Sequence, residues 1–141
     1  MPEEKSLDVE VTPEGMRISV FDRNHKPIFE PDSAQFTPYG SWIFTTLSWE
    51  VSRFTNSMSV ELEGHTEKSQ RSENDRFDPW ELSANRANAA RRKLIEHDVL
   101  PRQIRKVAGF ADTQPLPNVD ATDESNRRVA VLLKIKRGNQ L

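Results

Sequence analysis

His65 and Glu67 form a His-x-Glu step, and these are residue types that can serve as a general base or hold a metal. Neither chemistry finds partners in the sequence. A zinc deaminase needs a Pro-Cys-x-x-Cys segment beside its His-x-Glu, and the chain has no cysteine. The other histidines are His25 and His97, and no His-Glu-x-x-His spacing occurs. Ser83 stands three residues before Arg86, but no motif supplies a base for it as a nucleophile. It reads as a residue of a helix's first turn, and His65 as a bridge from a strand end to loop backbone. The lack of cysteine also removes disulfides and thiolate chemistry. No paired catalytic carboxylates stand out. The expectation is a non-enzymatic domain with no metal and no cofactor.

Bulk composition narrows what is bound. The chain has 141 residues, one domain's length, with 35% hydrophobic residues, sufficient for one modest core. Lys plus Arg number 20 against 22 Asp plus Glu, a net charge of -2. Nucleic-acid binders and polybasic membrane-surface domains carry a basic excess, so neither partner is expected. The Arg91-Arg92-Lys93 run reads as a solvated helix face. No apolar run reaches membrane-spanning length, and no signal-peptide segment is visible.

Periodicity supplies the elements that must position these residues. Residues 7–11 and 16–21 alternate apolar and polar around Thr12-Pro13-Glu14-Gly15, a β-hairpin whose acidic outer face suggests a sheet edge. Thr37-Pro38 starts a helix: Tyr39, Ile43, Leu47 and Val51 recur every four residues, Trp42, Phe44 and Phe54 widen the stripe, and the helix ends near residue 54. Residues 57–64 alternate as a half-buried strand. Asp78-Pro79-Trp80-Glu81 caps a second helix running to about residue 97, with Ala84, Ala87, Leu94 and Ile95 toward the core and Trp80 as an anchor of its N-terminus. Strands follow at 104–109 and 129–136. The order β-β-α-β-α-β-β predicts an α+β two-layer sandwich, with two helices on one face of a mixed sheet. Residues 1–6 are expected to be a disordered terminal segment, 7–137 the domain and 138–141 a tail.

The strands at 57–64 and 104–109 are joined through a helix and are therefore parallel. Their carboxyl ends, the long polar loops 65–76 and 110–125, and the start of the second helix all fall at one sheet edge. Open sheets bind ligands at such an edge, and long loops in small domains often serve function.

Three segments on this edge carry a family resemblance: Gly64-His65-Thr66-Glu67, Leu82-Ser83-Ala84-Asn85-Arg86-Ala87 and Asn126-Arg127-Arg128-Val129. In series they resemble the signature of the OmpA-like/MotB peptidoglycan-binding domains. Trp80-Glu81-Leu82-Ser83 and the helix continuation 87–94 favour the MotB, flagellar-stator, branch. The resemblance covers nearly the whole chain. It implies non-covalent binding of the diaminopimelate residue of a peptidoglycan stem peptide, with Glu67 and Arg86 gripping its ammonium and carboxylate groups. Thr66, Leu82, Asn126 and Arg127 are the accompanying ligand-site residues. Arg86 can hold a carboxylate bidentately, near a helix N-terminus that favours anions, and backbone N–H groups at 66–68 are further candidate donors. The family has Asp where this chain has Glu67, so the reach is one methylene longer, and Asp75 and Asp78 are alternative acids.

The implied role is the periplasmic cell-wall anchor of an inner-membrane stator subunit, as a homodimer with an ion-channel partner subunit. The transmembrane helix, proton-carrying Asp and plug of such proteins are absent from this sequence, so a fragment is expected. A wall-binding module of an outer-membrane or secretion-system protein, and an interaction-only domain, are the rival readings.

Overall fold

The computed structural model describes residues 5–54, 57–69 and 78–136. The two leading alternating segments form β1 (Leu7–Thr12) and β2 (Gly15–Phe21), paired antiparallel. Gly15 closes their turn at φ +153°, and a Cβ there would lie 2.0 Å from the Leu133 carbonyl oxygen, so only glycine fits. The remaining elements are α1 (Pro38–Ser52), β3 (Met58–His65), α2 (Pro79–Glu96), β4 (Ile104–Gly109) and β5 (Arg128–Ile135). The order is the predicted one. The sheet runs β1-β2-β5-β3-β4, with β3 and β4 parallel and every other pair antiparallel.

One register row explains the alternation. Val9, Ile18, Val131, Leu62 and Val107 stand side by side across all five strands. Strand side chains alternate faces, so these rows supply the apolar floor onto which both helices pack. Ile43, Phe44, Leu47 and Val51 of α1 and Ala87, Ala90 and Leu94 of α2 join Ile18, Val60, Leu62 and Val131 in a single core. The sheet's edge strand β1 carries Asp8 and Glu10, with Glu10 paired to Arg17 at 3.3 Å, as its acidic pattern suggested.

Both helix starts follow their caps. The Thr37 hydroxyl accepts from Gly40 N at 2.9 Å, with Pro38 next in line. Asp78 Oδ1 accepts from Trp80 N and Glu81 N at 3.0 and 3.1 Å. Caps of this kind satisfy N–H groups that the helix leaves unpaired.

The aromatic residues of α1 depart from expectation. Phe44 is fully buried, but Trp42 is 62% and Phe54 43% exposed. At about 100° per residue, Trp42 points away from the arc set by Gly40, Phe44, Leu47 and Val51. Trp80 is likewise exposed, so it does not anchor α2. Ala84 and Ile95 are only partly buried.

At the termini, Lys5 and Ser6, expected above to belong to a disordered terminal segment, are tied to the fold: Arg23 Nε donates to the Lys5 carbonyl and Tyr39 donates to the Ser6 hydroxyl. Residues 1–4 and 137–141 lie outside the described residues. Gln103 is fully buried and holds the approach to β3 by donating to the Phe54 and Met58 carbonyls at 3.3 and 3.2 Å and accepting from Leu100 N.

Candidate functional site

Two glycines bring α2 onto the carboxyl ends of β3 and β4. A Cβ at Gly64 would lie 2.1 Å from the Ser83 carbonyl oxygen, and one at Gly109 2.4 Å from Ala84 N. The helix backbone therefore rests directly on the strand ends. Ser83 locks the contact: its Oγ accepts from Ala111 N at 3.0 Å and donates to the Trp80 carbonyl. That structural use, with Ser83 buried, accounts for its presence without a nucleophilic role.

The same seating directs Arg86 inward, where it is 4% exposed. Its Nε donates to the Ser33 carbonyl at 2.8 Å, Nη1 to Asp22 Oδ2 at 3.2 Å and Nη2 to the Glu30 carbonyl at 3.3 Å. The guanidinium lies over the Phe29 ring, 4.7 Å from its centroid. Burial pulls its pKa below the ordinary arginine value, and the charge of Asp22 opposes that fall. The acid paired with Arg86 is Asp22, directly after β2; Asp75, an alternative acid in the sequence reading, lies outside the described residues.

Asp22 is the residue that sequence reasoning missed. Its Oδ1 accepts from Ile28 N and Phe29 N at 2.7 and 3.2 Å, and its Oδ2 faces Arg86 and, at 3.5 Å, Arg127 Nε. It thus folds the β2–α1 connection back over the sheet edge while facing two cations. No motif marks it. The only hint is a lone acid directly after an apolar strand end.

Arg127 completes the cluster. It donates to the Asp22 carbonyl at 3.1 and 2.9 Å from Nε and Nη2, and to Asn24 Oδ1 at 2.6 Å. Its Nη1 is bonded to Glu67 Oε2. Glu67, Leu82, Arg86 and Arg127 all line one pocket of about 370 Å³, walled by the β2–α1 connection through Asp22, Pro27, Phe29, Pro31 and Asp32.

Two other predicted site residues do not line it. Thr66 is buried. Asn126 is wholly buried, with Oδ1 accepting from Leu116 N at 2.7 Å and Nδ2 donating to the Asp120, Ala121 and Asp123 carbonyls. It folds the loop after β4, since one amide can satisfy several carbonyls of a tight loop. The backbone donors at 66 and 68 are also engaged: Thr66 N donates to the Ala111 carbonyl at 2.9 Å and Lys68 N to Ala121 at 2.8 Å. They fasten the two loops together instead of facing the pocket. Asp78 is the α2 cap and does not line the pocket.

His65 has the structural part expected of it, though through side chains. It is buried, stacked on Phe110 with ring centroids 5.3 Å apart, and its Nε2 is 3.8 Å from Glu63 Oε1. Burial pushes its pKa down, against the pull of Glu63. His65 and Lys106 together hold the Glu63 carboxyl at about 2, against the effect of its own burial. Among the described residues no group of three or more His, Asp or Glu is arranged to hold a metal.

The groups left over at the pocket are of both charges. An arginine has five N–H donors, so the three bonds of Arg86 leave one N–H on each terminal nitrogen. Among the described residues Glu67 Oε1 has no hydrogen-bond partner, so a carboxylate edge and two guanidinium groups face one small volume.

A mixed sheet under two helices, with an acid–arginine pocket at the carboxyl ends of its parallel strands, defines an α+β binding domain. The chain belongs to the OmpA family, whose model matches residues 28–129. Within it, the chain is similar to Motility protein B of Escherichia coli K12, 32% identical over 135 residues that cover 95% of this chain and 43% of that protein. It is also similar to the putative flagellar export/assembly protein LafU of Escherichia coli O44:H18, at 30% identity over 94% of this chain and 42% of that protein. The chain thus spans less than half the length of these curated relatives. The periplasmic domain of Helicobacter pylori MotB shares the fold, with TM-score 0.77 and 19% identity over 96% of this chain and 83% of that one. So does the cell wall anchor of the T6SS from Pseudomonas aeruginosa, with TM-score 0.74 and 17% identity over 93% of this chain and 89% of that one.

Proposed function

We propose that this domain binds the stem peptide of peptidoglycan without covalent chemistry and anchors a flagellar stator subunit to the cell wall. The observation that carries the reading is the convergence of Glu67, Arg86 and Arg127 on one pocket, with Asp22 fixing both arginines from beneath. A diaminopimelate side chain ends in an ammonium and a carboxylate. The carboxylate meets the remaining N–H groups of Arg86, and the ammonium meets Glu67. Domains of the OmpA/MotB type are structural wall-binding modules and not enzymes.

The relatives named for motility support the rest of the stator reading. The protein would sit in the periplasm, tethered by a membrane segment outside this sequence, as a homodimer with an ion-channel partner subunit. The second reading, a wall anchor of a secretion system, is favoured by the fold shared with the Pseudomonas aeruginosa anchor. It uses the same ligand and pocket.

The test is calorimetric titration with two stem tripeptides, one with meso-diaminopimelate and one with lysine at the third position. Lysine keeps the ammonium and lacks the carboxylate. A charge-assisted bond contributes about 1.5–3 kcal/mol, so the lysine peptide should bind about 10- to 150-fold more weakly. Arg86→Lys should erase the difference with the fold intact by circular dichroism. Equal affinity for both peptides in the native protein would rule out the Arg86–carboxylate grip. Sedimentation with intact sacculi then tests binding to the assembled wall.

A further inference from the structure

The solvent face of α1 carries two exposed indoles, Trp42 at 62% and Trp49 at 55% exposure, and neither belongs to the core. They are seven residues apart. At about 100° and 1.5 Å per residue they project within about 20° of each other, roughly 10.5 Å apart along the axis. Large exposed aromatics on one face mark an interaction surface more often than chance. Thr45 and Thr46 lie in the same arc. The Thr46 hydroxyl donates to the Trp42 carbonyl at 3.0 Å, which leaves its oxygen free to accept, and Thr45 lies 3.4 Å from His97 Nε2. The face is therefore a pair of flat apolar platforms with hydroxyls between them.

These platforms are continuous with the pocket. Pro27 lines the pocket, and the neighbouring Lys26 ammonium lies 4.9 Å from the Tyr39 ring centroid. Tyr39 in turn stacks on Trp42, with ring centroids 6.2 Å apart. Aromatic and cationic groups thus lead from the pocket mouth to Trp42, and Trp49 continues the same helix face, packed edge-on with His97 at a centroid distance of 6.4 Å.

We propose that this track is a second binding site, for a β-1,4-linked amino-sugar strand. Pyranose rings present flat C–H faces that stack on indoles, and they carry hydroxyl and amide groups that suit flanking threonines. The spacing of the two indoles is close to the advance of two sugar rings in an extended β-1,4 chain, so alternate sugars meet successive platforms. The inference rests on the wall-binding reading and extends it: the pocket takes the peptide branch, and α1 takes the glycan from which that branch hangs.

Calorimetry on the full chain tests the site with two probes. One is peptide-free glycan strands, released from sacculi by an N-acetylmuramyl-L-alanine amidase. The other is the soluble diaminopimelate tripeptide. The native protein should bind the strands. Trp42→Ala and Trp49→Ala should each weaken that binding about fivefold to tenfold, as loss of one aromatic platform implies, and leave tripeptide binding unchanged. Trp42→Phe should retain more affinity than Trp42→Leu, because stacking and not apolar bulk is required. Both indoles face solvent, so the variants should keep the native circular dichroism spectrum. Native protein that ignores the strands, or a double variant that binds them as well as native, overturns the proposal. So does a double variant whose only change is a shift from dimer to monomer in sedimentation, which would make this face a contact between two copies. If the tripeptide fails while the strands bind through the tryptophans, the pocket reading falls and the glycan site stands.

Discussion

Replacing Asp22 by Asn should destabilise the domain severely while barely changing its shape. The amide keeps an oxygen for Ile28 N and Phe29 N, which the carboxylate now serves at 2.7 and 3.2 Å. What it removes is the negative charge 3.2 Å from Arg86 Nη1 and 3.5 Å from Arg127 Nε. The two side chains of the Asp22–Arg86 pair are 9% and 5% exposed, so water does little to screen the loss. Removing one partner of a buried ion pair costs about 3–5 kcal/mol, because the other charge stays buried. Arg127 keeps Glu67, and Arg86 keeps two carbonyl acceptors, which puts the expectation near the low end, at about 3 kcal/mol. That is a large part of the ~5–15 kcal/mol stability of a typical domain. In urea, with a slope of ~2 kcal/mol per M, the midpoint should fall by about 1.5 M. A double-mutant cycle with Arg86→Gln should return a coupling above about 1.5 kcal/mol. A midpoint shift under about 0.3 M, or a coupling near zero, would refute the view that Asp22 holds the arginines by charge.

Three further outcomes follow from the same geometry. Gly64→Ala drives a Cβ into the Ser83 carbonyl; forced overpacking costs about 1–3 kcal/mol, and a thermal scan should also show weaker tripeptide binding as α2 lifts Arg86. The folded His65 has its pKa lowered, so it contributes stability that is present above its unfolded value near 6.5 and lost as pH falls below it. Glu63, held at about 2 against 4.5, adds a second loss between those values. Denaturation midpoints across pH 8 to 2 should show both steps, with His65→Phe abolishing the upper one and shrinking the lower, and Glu63→Gln abolishing the lower. Gln103→Leu leaves Leu100 N without its acceptor and takes a donor from the Met58 and Phe54 carbonyls, of which Phe54 keeps the N–H groups of Ser57 and Met58; chemical denaturation should show a loss of about 2 kcal/mol, with pocket binding untouched.

The fold was legible because its signals are local. Strand alternation at 7–11, 16–21, 57–64 and 129–136, and capped helix starts at Thr37 and Asp78, need only neighbouring residues to be read. Parallel pairing of β3 with β4 followed from the helix between them. The place of the site followed in turn, because strand ends, loops and a helix start coincide there. The tryptophans misled because a four-residue apolar rhythm marks a helix without saying which arc faces the sheet. Trp42 fits the rhythm loosely and sits on the far side.

By itself, then, the sequence determined the element order, the sheet edge that carries the pocket, and four of its wall residues, Glu67, Leu82, Arg86 and Arg127. Only the tertiary structure decided how their charges are apportioned. Asp22 lies 64 residues from Arg86 and 105 from Arg127 in the chain, so no local pattern links them. Burial makes the long-range pairing necessary, because a charge removed from water must find its partner wherever the fold brings one. The same closure settled which polar groups are left over. Asn126, Thr66 N and Lys68 N are engaged in closing the loops, and what remains open to a ligand is the small remainder on Arg86 and Glu67.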